Sequence, residues 1–263
     1  MADSPLQKNY LLREKQKKQF ISLMRILLFF LFLGLWEISA RLGWIDSFIF
    51  SSPSQIILTF WDMTLHQELF SHISITLMET LVSFLLVLLF SLGISLLLWL
   101  SPRLSAILEP YLVVLNSLPK SALAPLLIVW LGANIRTIIV AGMSVAIFGS
   151  IISLYTGFQE IDPDELKLID TLGGSRRHEL FKVVLPASVP YLLSAMKVNI
   201  GLCLVGVVIG EFIGAKKGLG YLIIYSSQVF KLDWMLMSIV LLCIIAMGLY
   251  SILNVLEKHY KKD

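Results

Sequence analysis

Three uncharged apolar stretches constrain this chain more than any other feature. Residues 80–102, 137–158 and 234–256 contain no aspartate, glutamate, lysine or arginine. About 20 apolar residues in a helix cross the roughly 30 Å hydrocarbon core of a bilayer. A helix is also a form in which one segment satisfies all of its own backbone hydrogen bonds in lipid. The stretches therefore predict membrane-spanning helices and an all-α integral membrane protein.

Three further stretches are long enough to span but carry one or two charges, namely residues 20–40, 106–131 and 188–210. Pro110, Pro119 and Pro125 interrupt the second of them, which predicts a broken segment. A basic segment precedes the first stretch, but Ile38-Ser39-Ala40 is a poor site for signal-peptide cleavage, so we expect a retained helix. Charged residues make up 15% of the chain, against about a quarter in soluble domains. Six spans are predicted.

Lysine and arginine predict the orientation, because they are enriched in cytoplasmic segments of membrane proteins. With both termini in the cytoplasm, thirteen of them fall inside and five outside, the remaining three lying within spans. The five outside are Arg41, Arg136, Lys216, Lys217 and Lys231. This bias places the long connector between the fourth and fifth spans in the cytoplasm, and it accounts for the net charge of +3 without a nucleic-acid partner.

The sequence predicts one membrane domain with two short tails. The predicted parts are a basic tail at 1–19, a membrane domain at 20–256 with spans at about 20–40, 75–102, 106–131, 137–158, 188–210 and 234–256 and a connector at 159–187, and a tail at 257–263. The two cysteines, Cys203 and Cys243, fall within spans and are interpreted as small packing residues.

The connector carries helix signals of its own. Asp162 is a suitable N-cap, Pro163 suits the first helical position, and Gly173-Gly174 predicts a left-handed stop. Ser175 is expected to cap a second helix, which Leu185-Pro186 would end or bend. Leu166, Ile169 and Leu172 share one side of the first helix, and Leu180, Phe181 and Val184 share one side of the second.

A short helix with one apolar side flanked by charges is typical of a docking surface. The alternative is a hairpin lying on lipid headgroups, with Arg176 and Arg177 touching phosphates. The residues alone leave both interpretations open.

Two motifs of the connector resemble the cytoplasmic loop of ABC importer permeases. These are Thr171-Leu172-Gly173-Gly174-Ser175 and the ending Val183-Val184-Leu185-Pro186, whose proline lies thirteen residues after Gly173. The family's loop has Glu-Ala-Ala before the glycine, whereas this chain has Lys167-Leu168-Ile169, and its nearest acid is Glu165.

Other motifs are similar to the nitrate, sulfonate and taurine branch of that family. They are LPKSALAPL at 118–126 with Trp130 and Gly132, Glu211 followed by Gly218-Leu219-Gly220, Trp36-Glu37, and Pro53-Ser54. The resemblance is collinear over nearly the whole chain.

The resemblance implies the fold and partners of a type I ABC importer permease, a non-catalytic subunit with six transmembrane helices in the cell membrane. It implies a second permease subunit, two cytoplasmic ATPase subunits that bind ATP and magnesium, and an extracytoplasmic substrate-binding protein. No cofactor, metal site or catalytic residue is expected in this chain. The residues expected to couple to the ATPase are Glu165, Leu166, Lys167, Ile169, Asp170, Gly173, Gly174, Arg176, Arg177, Leu185 and Pro186. Lys167 further suggests an acid on the partner ATPase.

Charges within spans are candidates for the transport pathway, because a charge near mid-bilayer costs at least about 2.5 kcal/mol. Lys120 and Lys197 are the two candidates, with snorkelling to the interface as the alternative for Lys197. Arg25, Glu37, Glu79 and Glu109 are expected near span ends, interfacial or paired for structure.

Small residues at 206, 210 and 214 form one face of the fifth helix, where they either permit close helix packing or line a narrow path. Gly206, Gly210 and Glu211 are pathway candidates, and Glu211, next to Gly210, could pair with Lys216 or Lys217 in a structural or gating role.

Two observations limit the function. No Gly-x-x-x-x-Gly-Lys-Ser/Thr motif occurs, so the chain does not bind ATP through a P-loop, and its four histidines lack metal-ligand spacing. An ion-coupled secondary transporter and a lipid-modifying membrane enzyme remain as alternatives. The first would favour paired broken helices. The second would need a tight His, Asp or Glu motif.

A small anion such as a sulfonate, taurine or nitrate is the expected solute, and a thiamine-related pyrimidine is the alternative.

Overall fold

A computed structural model of the chain describes residues 5–260, and it describes side chains from Arg13 to His259. The outermost parts of the two predicted tails, residues 1–4 and 261–263, lie outside the described residues. The described residues form helices and no strand. The helices are α1 Pro5–Arg41, α2 Ser47–Phe50, α3 Pro53–His66, α4 Leu69–Leu100, α5 Pro102–Ser117, α6 Lys120–Leu131, α7 Ile135–Gln159, α8 Pro163–Thr171, α9 Arg176–Glu179, α10 Leu185–Gly214, α11 Leu219–Gln228 and α12 Leu232–Tyr260, with one π-helical turn at Leu180–Val184.

Five helical segments within the described residues are long and apolar enough to cross a membrane. They are Arg13–Arg41, Leu69–Leu100, Ile135–Gln159, Arg176–Gly214 and Leu232–His259. A sixth is obtained if α5 and α6 count as one broken span. This confirms the all-helical membrane fold. The first helix begins well before the predicted span, because Pro5 opens a helix that continues through the basic segment.

The third predicted span, 106–131, is two helices that meet at an angle of 95°. The break lies at Leu118-Pro119. Leu118 has an extended backbone (φ −63°, ψ 140°), as expected for a residue before proline. Pro119 has no N–H with which to continue the helix. The other two prolines, Pro110 and Pro125, lie inside α5 and α6.

Helix α7 lies at the centre of the bundle and packs against α4 and α10. The glycine face of α10 makes this close approach possible. A Cβ atom added at Gly206 would lie 2.8 Å from the Cα of Gly142 on α7, and one at Gly210 would lie 3.2 Å from the Cα of Ile138. The space between the two helices leaves no room for a side chain at these positions, as is typical of helices that pack through small residues. Whether the same face also lines a path stays a prediction.

Hydroxyl and amide side chains connect α4, α7 and α10 across this packing. Ser95 Oγ donates to the carbonyl of Ile151 at 2.9 Å, and Ser150 Oγ donates to Ser91 Oγ at 2.9 Å. Asn199 Nδ2 in turn donates to Ser150 Oγ at 2.7 Å. Interhelical hydrogen bonds of this kind contribute about 0.6 kcal/mol each in membranes, so the three helices form the most tightly bound part of the fold.

The Leu-Pro step of the connector was predicted to end or bend a helix, and the first of these alternatives is wrong. Helix α9, the π-helical turn and α10 form one continuous helical segment, Arg176–Gly214. The amide of Leu185 donates to the carbonyl of Leu180, five residues earlier. A π-helical turn changes the local hydrogen-bond register, so Pro186 is accommodated at the start of α10 without a break.

Candidate functional site

The connector helix α8 forms where the sequence predicts it. The side chain of Asp162 accepts a hydrogen bond from the amide of Asp164 at 2.9 Å, and Pro163 occupies the first turn. Gly173 has a φ of 74°, a left-handed conformation that ends the helix. The helix therefore begins and ends through local signals, and it makes few contacts with other helices, chiefly with α9.

Some apolar residues of α8 are packed and others are exposed, so they do not form the single apolar side that the sequence predicts. Leu166 packs against the membrane-domain core beneath it, and Ile169 lies against Gly174. Leu168 and Leu172 are 59% and 75% exposed. The outward surface of α8 therefore carries Leu168 and Leu172, whereas Leu166 holds the helix on the membrane domain and Ile169 packs within the connector.

The second predicted apolar side is also divided. Leu180 and Val184 are buried, whereas Phe181 is 65% exposed. Exposed charges surround α8, including Glu165, Lys167 and Asp170. Lys167 Nζ contacts Asp164 Oδ1 at 2.8 Å, an exposed pair on one helix that contributes a few tenths of a kcal/mol. The lysine in place of the family's glutamate thus has a partner within its own helix.

Arg176 and Arg177 are neighbours with different environments. Arg176 Nη1 donates to the carbonyl of Leu100 at 2.8 Å, and its guanidinium lies 5.7 Å from the ring centroid of Trp99. Leu100 is the last residue of α4, whose final carbonyls lack partners within the helix. Arg176 therefore joins the connector to the end of α4, and both arginines are exposed.

We expect Arg176→Ala to loosen the connector and lower transport about tenfold, because it removes a helix-end hydrogen bond and a cation–π contact that together contribute on the order of 1.5 kcal/mol. Hydrogen exchange of residues 163–184 measures the loosening directly. Arg177→Ala is the matched control and should leave the exchange unchanged. Equal exchange in both variants would contradict the assigned contact.

Lys120 lies at the bend between α5 and α6. Its Nζ donates to the carbonyls of Leu115 at 2.6 Å and Asn116 at 3.0 Å, and it lies 5.4 Å from the ring centroid of Phe148 on α7. A lysine on the last carbonyls of a helix stabilises its end. In the structure Lys120 therefore holds the bend, and its pathway role stays a prediction.

Lys197 is paired with the last helix. Its ammonium forms an ion pair with Glu257, approaches Asn254 Oδ1 at 3.4 Å and lies 5.9 Å from the ring centroid of Tyr250. The pair is mostly shielded, since the two side chains are 16% and 10% exposed. A pathway role for Lys197 stays a prediction, and the contact that the structure gives it is a bridge between α10 and α12.

Glu211 lies at the end of the bundle opposite the connector and is 1% exposed. Its Oε1 accepts a hydrogen bond from Thr76 Oγ1 at 2.6 Å, and its Oε2 accepts one from the amide of Gly220 at 2.6 Å. A Cβ atom at Gly218 or at Gly220 would collide with this carboxyl group, so neither glycine of the Gly218-Leu219-Gly220 turn has room for a side chain. The motif that includes Glu211 is thus one packed unit.

The predicted pairing of Glu211 with Lys216 or Lys217 is wrong. Both lysines are exposed, and Lys217 Nζ contacts Glu68 Oε2 at 2.9 Å instead. The hydrogen bond from Lys217 holds the pKa of the Glu68 carboxyl below its ordinary value. Glu211 is buried behind the turn, where the lysine side chains do not reach.

Glu79 is a buried residue that the sequence interpretation placed near a span end. It is 0% exposed and lies beside Glu211. A cavity of about 280 Å³ at this end of the bundle is lined by both Glu79 and Lys216. The spacing of polar residues could have indicated that Glu79 is buried, because buried polar residues recur along one side of α4. They are His72, Thr76, Glu79, Thr80 and Ser83.

Comparisons with known proteins agree with this geometry. Residues 88–262 match the family described as "Binding-protein-dependent transport system inner membrane component". A probable ABC transporter permease protein of Haemophilus influenzae is 33% identical over 83% of this chain and 88% of its own length. A putative aliphatic sulfonates transport permease protein of Bacillus subtilis is 27% identical over 88% of this chain and 83% of its own length.

Other relatives, each 27% identical, carry names for the transport of taurine, nitrate, formylaminopyrimidine and riboflavin. Among solved structures, an inward-facing methionine ABC transporter aligns with a TM-score of 0.65 at 19% identity, covering 72% of this chain and 94% of that chain. The structural likeness is one of fold.

Proposed function

This chain belongs to the family of binding-protein-dependent transport system inner membrane components, and we propose that it forms the solute path of an ATP-driven importer together with a second, identical permease subunit. It is a permease subunit of an ABC importer, as its relatives and its fold agree. In the proposed complex two separate ATPase subunits bind ATP and magnesium, and an extracytoplasmic binding protein delivers the solute.

The observation that carries the proposal is the outward surface of α8. The helix rests on the membrane domain through Leu166, and it exposes Leu168 and Leu172. A capped helix with an apolar outer surface and flanking charges suits a groove on a partner protein. Closure of two ATPases would move the two α8 helices together and, through Arg176 and the end of α4, rearrange the membrane domain.

The proposed orientation has α8 and both termini in the cytoplasm of a cell-membrane protein. It rests on the distribution of lysine and arginine, thirteen against five in favour of the α8 side. The cavity beside Glu79 and the exposed Lys216 then lie on the outer side, where a binding protein would release solute.

For the solute we propose a small anion of the sulfonate, taurine or nitrate class. Several relatives are named for such solutes, and two exposed lysines stand at the rim of the outer cavity. A thiamine-related pyrimidine is the second candidate, because one relative is named for formylaminopyrimidine transport.

The test is uptake into proteoliposomes that contain this chain, its cognate P-loop ATPase and its substrate-binding protein. We expect uptake of radiolabelled taurine or an alkanesulfonate to require internal ATP and the binding protein. ATP-dependent uptake of a pyrimidine alone would replace the solute and keep the importer. Uptake driven by a proton or sodium gradient without ATP would contradict the proposed mechanism.

A further inference from the structure

Two buried carboxyl groups meet at the end of the bundle opposite α8. Glu79 of α4 is 0% exposed and Glu211 of α10 is 1% exposed, and Thr76, one turn before Glu79 on α4, donates to Glu211, so the two carboxyl groups lie side by side. We refer to them as the carboxyl pair. The two differ in their other partners. Glu211 accepts hydrogen bonds from Thr76 Oγ1 and from the amide of Gly220, each at 2.6 Å, whereas neither oxygen of Glu79 has a hydrogen-bond donor.

Among the described residues, no basic side chain forms an ion pair with the carboxyl pair, although Lys216 and Lys217 line the same cavity as Glu79. On α4, His72 Nδ1 accepts a hydrogen bond from the amide of Gly218 at 3.0 Å and stacks on Tyr221 of α11. In the turn before α11, Lys216 is exposed and Lys217 binds Glu68. Arg136 at the start of α7 is exposed. Among the described residues no ion pair includes Glu79 or Glu211, and no cluster of three potential metal ligands occurs there.

Two carboxylates in contact inside a protein cannot both stay ionised, because their mutual repulsion is not screened by water. One proton between them removes the repulsion and supplies the missing donor. The hydrogen bonds identify its position. Glu211 already receives an O–H and an N–H, as a carboxylate does, so Glu79 is the group that can act as donor.

We propose that Glu79 carries a proton and donates it to Glu211, so that the carboxyl pair is a buried proton-binding site. The bound proton joins α4, α10 and the Gly218-Leu219-Gly220 turn at one place. Thr76 strengthens the same junction, because its Oγ1 also accepts the amide of Leu219 at 2.8 Å. Release of the proton would leave two adjacent negative charges and separate α4 from α10 beside the cavity that Glu79 lines.

The pH dependence follows from this arrangement. The protonated pair stabilises the junction, so the stabilisation is fully present in acid, where the carboxyl groups of the unfolded chain are protonated too, and it is lost as the pH rises and the proton leaves the pair. The presence of the proton does not depend on the proposed function. Only the statement that the junction faces the outside, and so responds to external pH, rests on it.

Infrared spectroscopy of the purified chain in lipid tests the proposal. A protonated carboxylic acid absorbs in a C=O stretching band that is separate from the carboxylate and amide bands, and the band shifts on exchange into D₂O. We expect this band in the wild-type chain at neutral pH and its loss in Glu79→Gln. The matched control Glu109→Gln changes an exposed glutamate of α5 and should retain the band.

Thermal unfolding across neutral to alkaline pH provides a second measurement. Glutamine at position 79 keeps a donor for Glu211 and cannot release a proton, so Glu79→Gln should remove the loss of stability that the wild type shows at alkaline pH. Absence of the band from the wild type would overturn the proposal even if the variant failed to fold. An unchanged band in a folded Glu79→Gln chain would overturn it as well. Neither measurement requires ATP, a solute or a partner, so their failure is distinct from failure of the proposed transport.

Discussion

Replacing Leu168 and Leu172 together with aspartate is expected to abolish binding of the partner ATPase to this permease. Both side chains are exposed on the outward surface of α8, and each leucine buried in a partner groove contributes about 1.5–3 kcal/mol. Losing both contributions corresponds to a fall in affinity of at least roughly a hundredfold. Co-purification of the ATPase from membranes that contain both proteins measures this loss.

The control for this variant is a matched leucine at the other end of the molecule. Leu65, near the end of α3, is 72% exposed, and Leu65→Asp introduces the same chemistry away from α8. We expect the control to retain the ATPase, and we expect both variants to insert into the membrane. Full retention of the ATPase by the α8 variant would show that the helix docks through other residues or does not dock.

Substituting Gly206 with alanine should destabilise the membrane domain by about 2–3 kcal/mol. The added Cβ would lie 2.8 Å from the Cα of Gly142 and 2.9 Å from the carbonyl oxygen of Ala141. Both are backbone atoms, so α7 and α10 must move apart, and overpacking of this kind costs about 1–3 kcal/mol. Separation would also weaken the hydrogen bonds that connect the helices. The midpoint of thermal unfolding in detergent should fall by roughly 5–10 °C.

Gly201 supplies the matched comparison on the same helix, because a Cβ added there meets no atom within 4 Å. Alanine has the higher helix propensity, by about 1 kcal/mol, so Gly201→Ala should be neutral or slightly stabilising. Similar unfolding midpoints for the two variants would contradict the close packing of α10 on α7.

The sequence predicted the connector helix well because its signals are local. Asp162, Pro163 and Gly173 act on the backbone within one turn of their own positions, and each does in the structure what its residue type predicts. The outward side of the helix was not predictable. Leu166 and Leu168 are two positions apart on one short helix, and which of them faces the membrane domain depends on how α8 rests on distant residues.

The partners of charged residues were predicted less well, for the same reason. Lys197 pairs with Glu257, sixty positions along the chain, and Lys217 pairs with Glu68 rather than with Glu211. Such contacts arise from the order in which helices pack, which no local pattern contains. Pro186 shows a related limit, because the π-helical turn before it keeps the helix continuous, so that of the two predicted outcomes, an end or a bend, the end is wrong.

The central claim is that α8 seats on a separate ATPase, and cross-linking from a single cysteine tests it most directly. The exposed native Cys243 is first changed to serine, while Cys203 is buried, and a cysteine is placed at the exposed Thr171 of α8. In membranes that contain the assembled complex we predict a cross-linked product of permease and ATPase whose yield changes when ATP is added. A Thr171→Cys side chain that forms no such product and reacts with water-soluble thiol reagents equally with and without the ATPase would contradict the account.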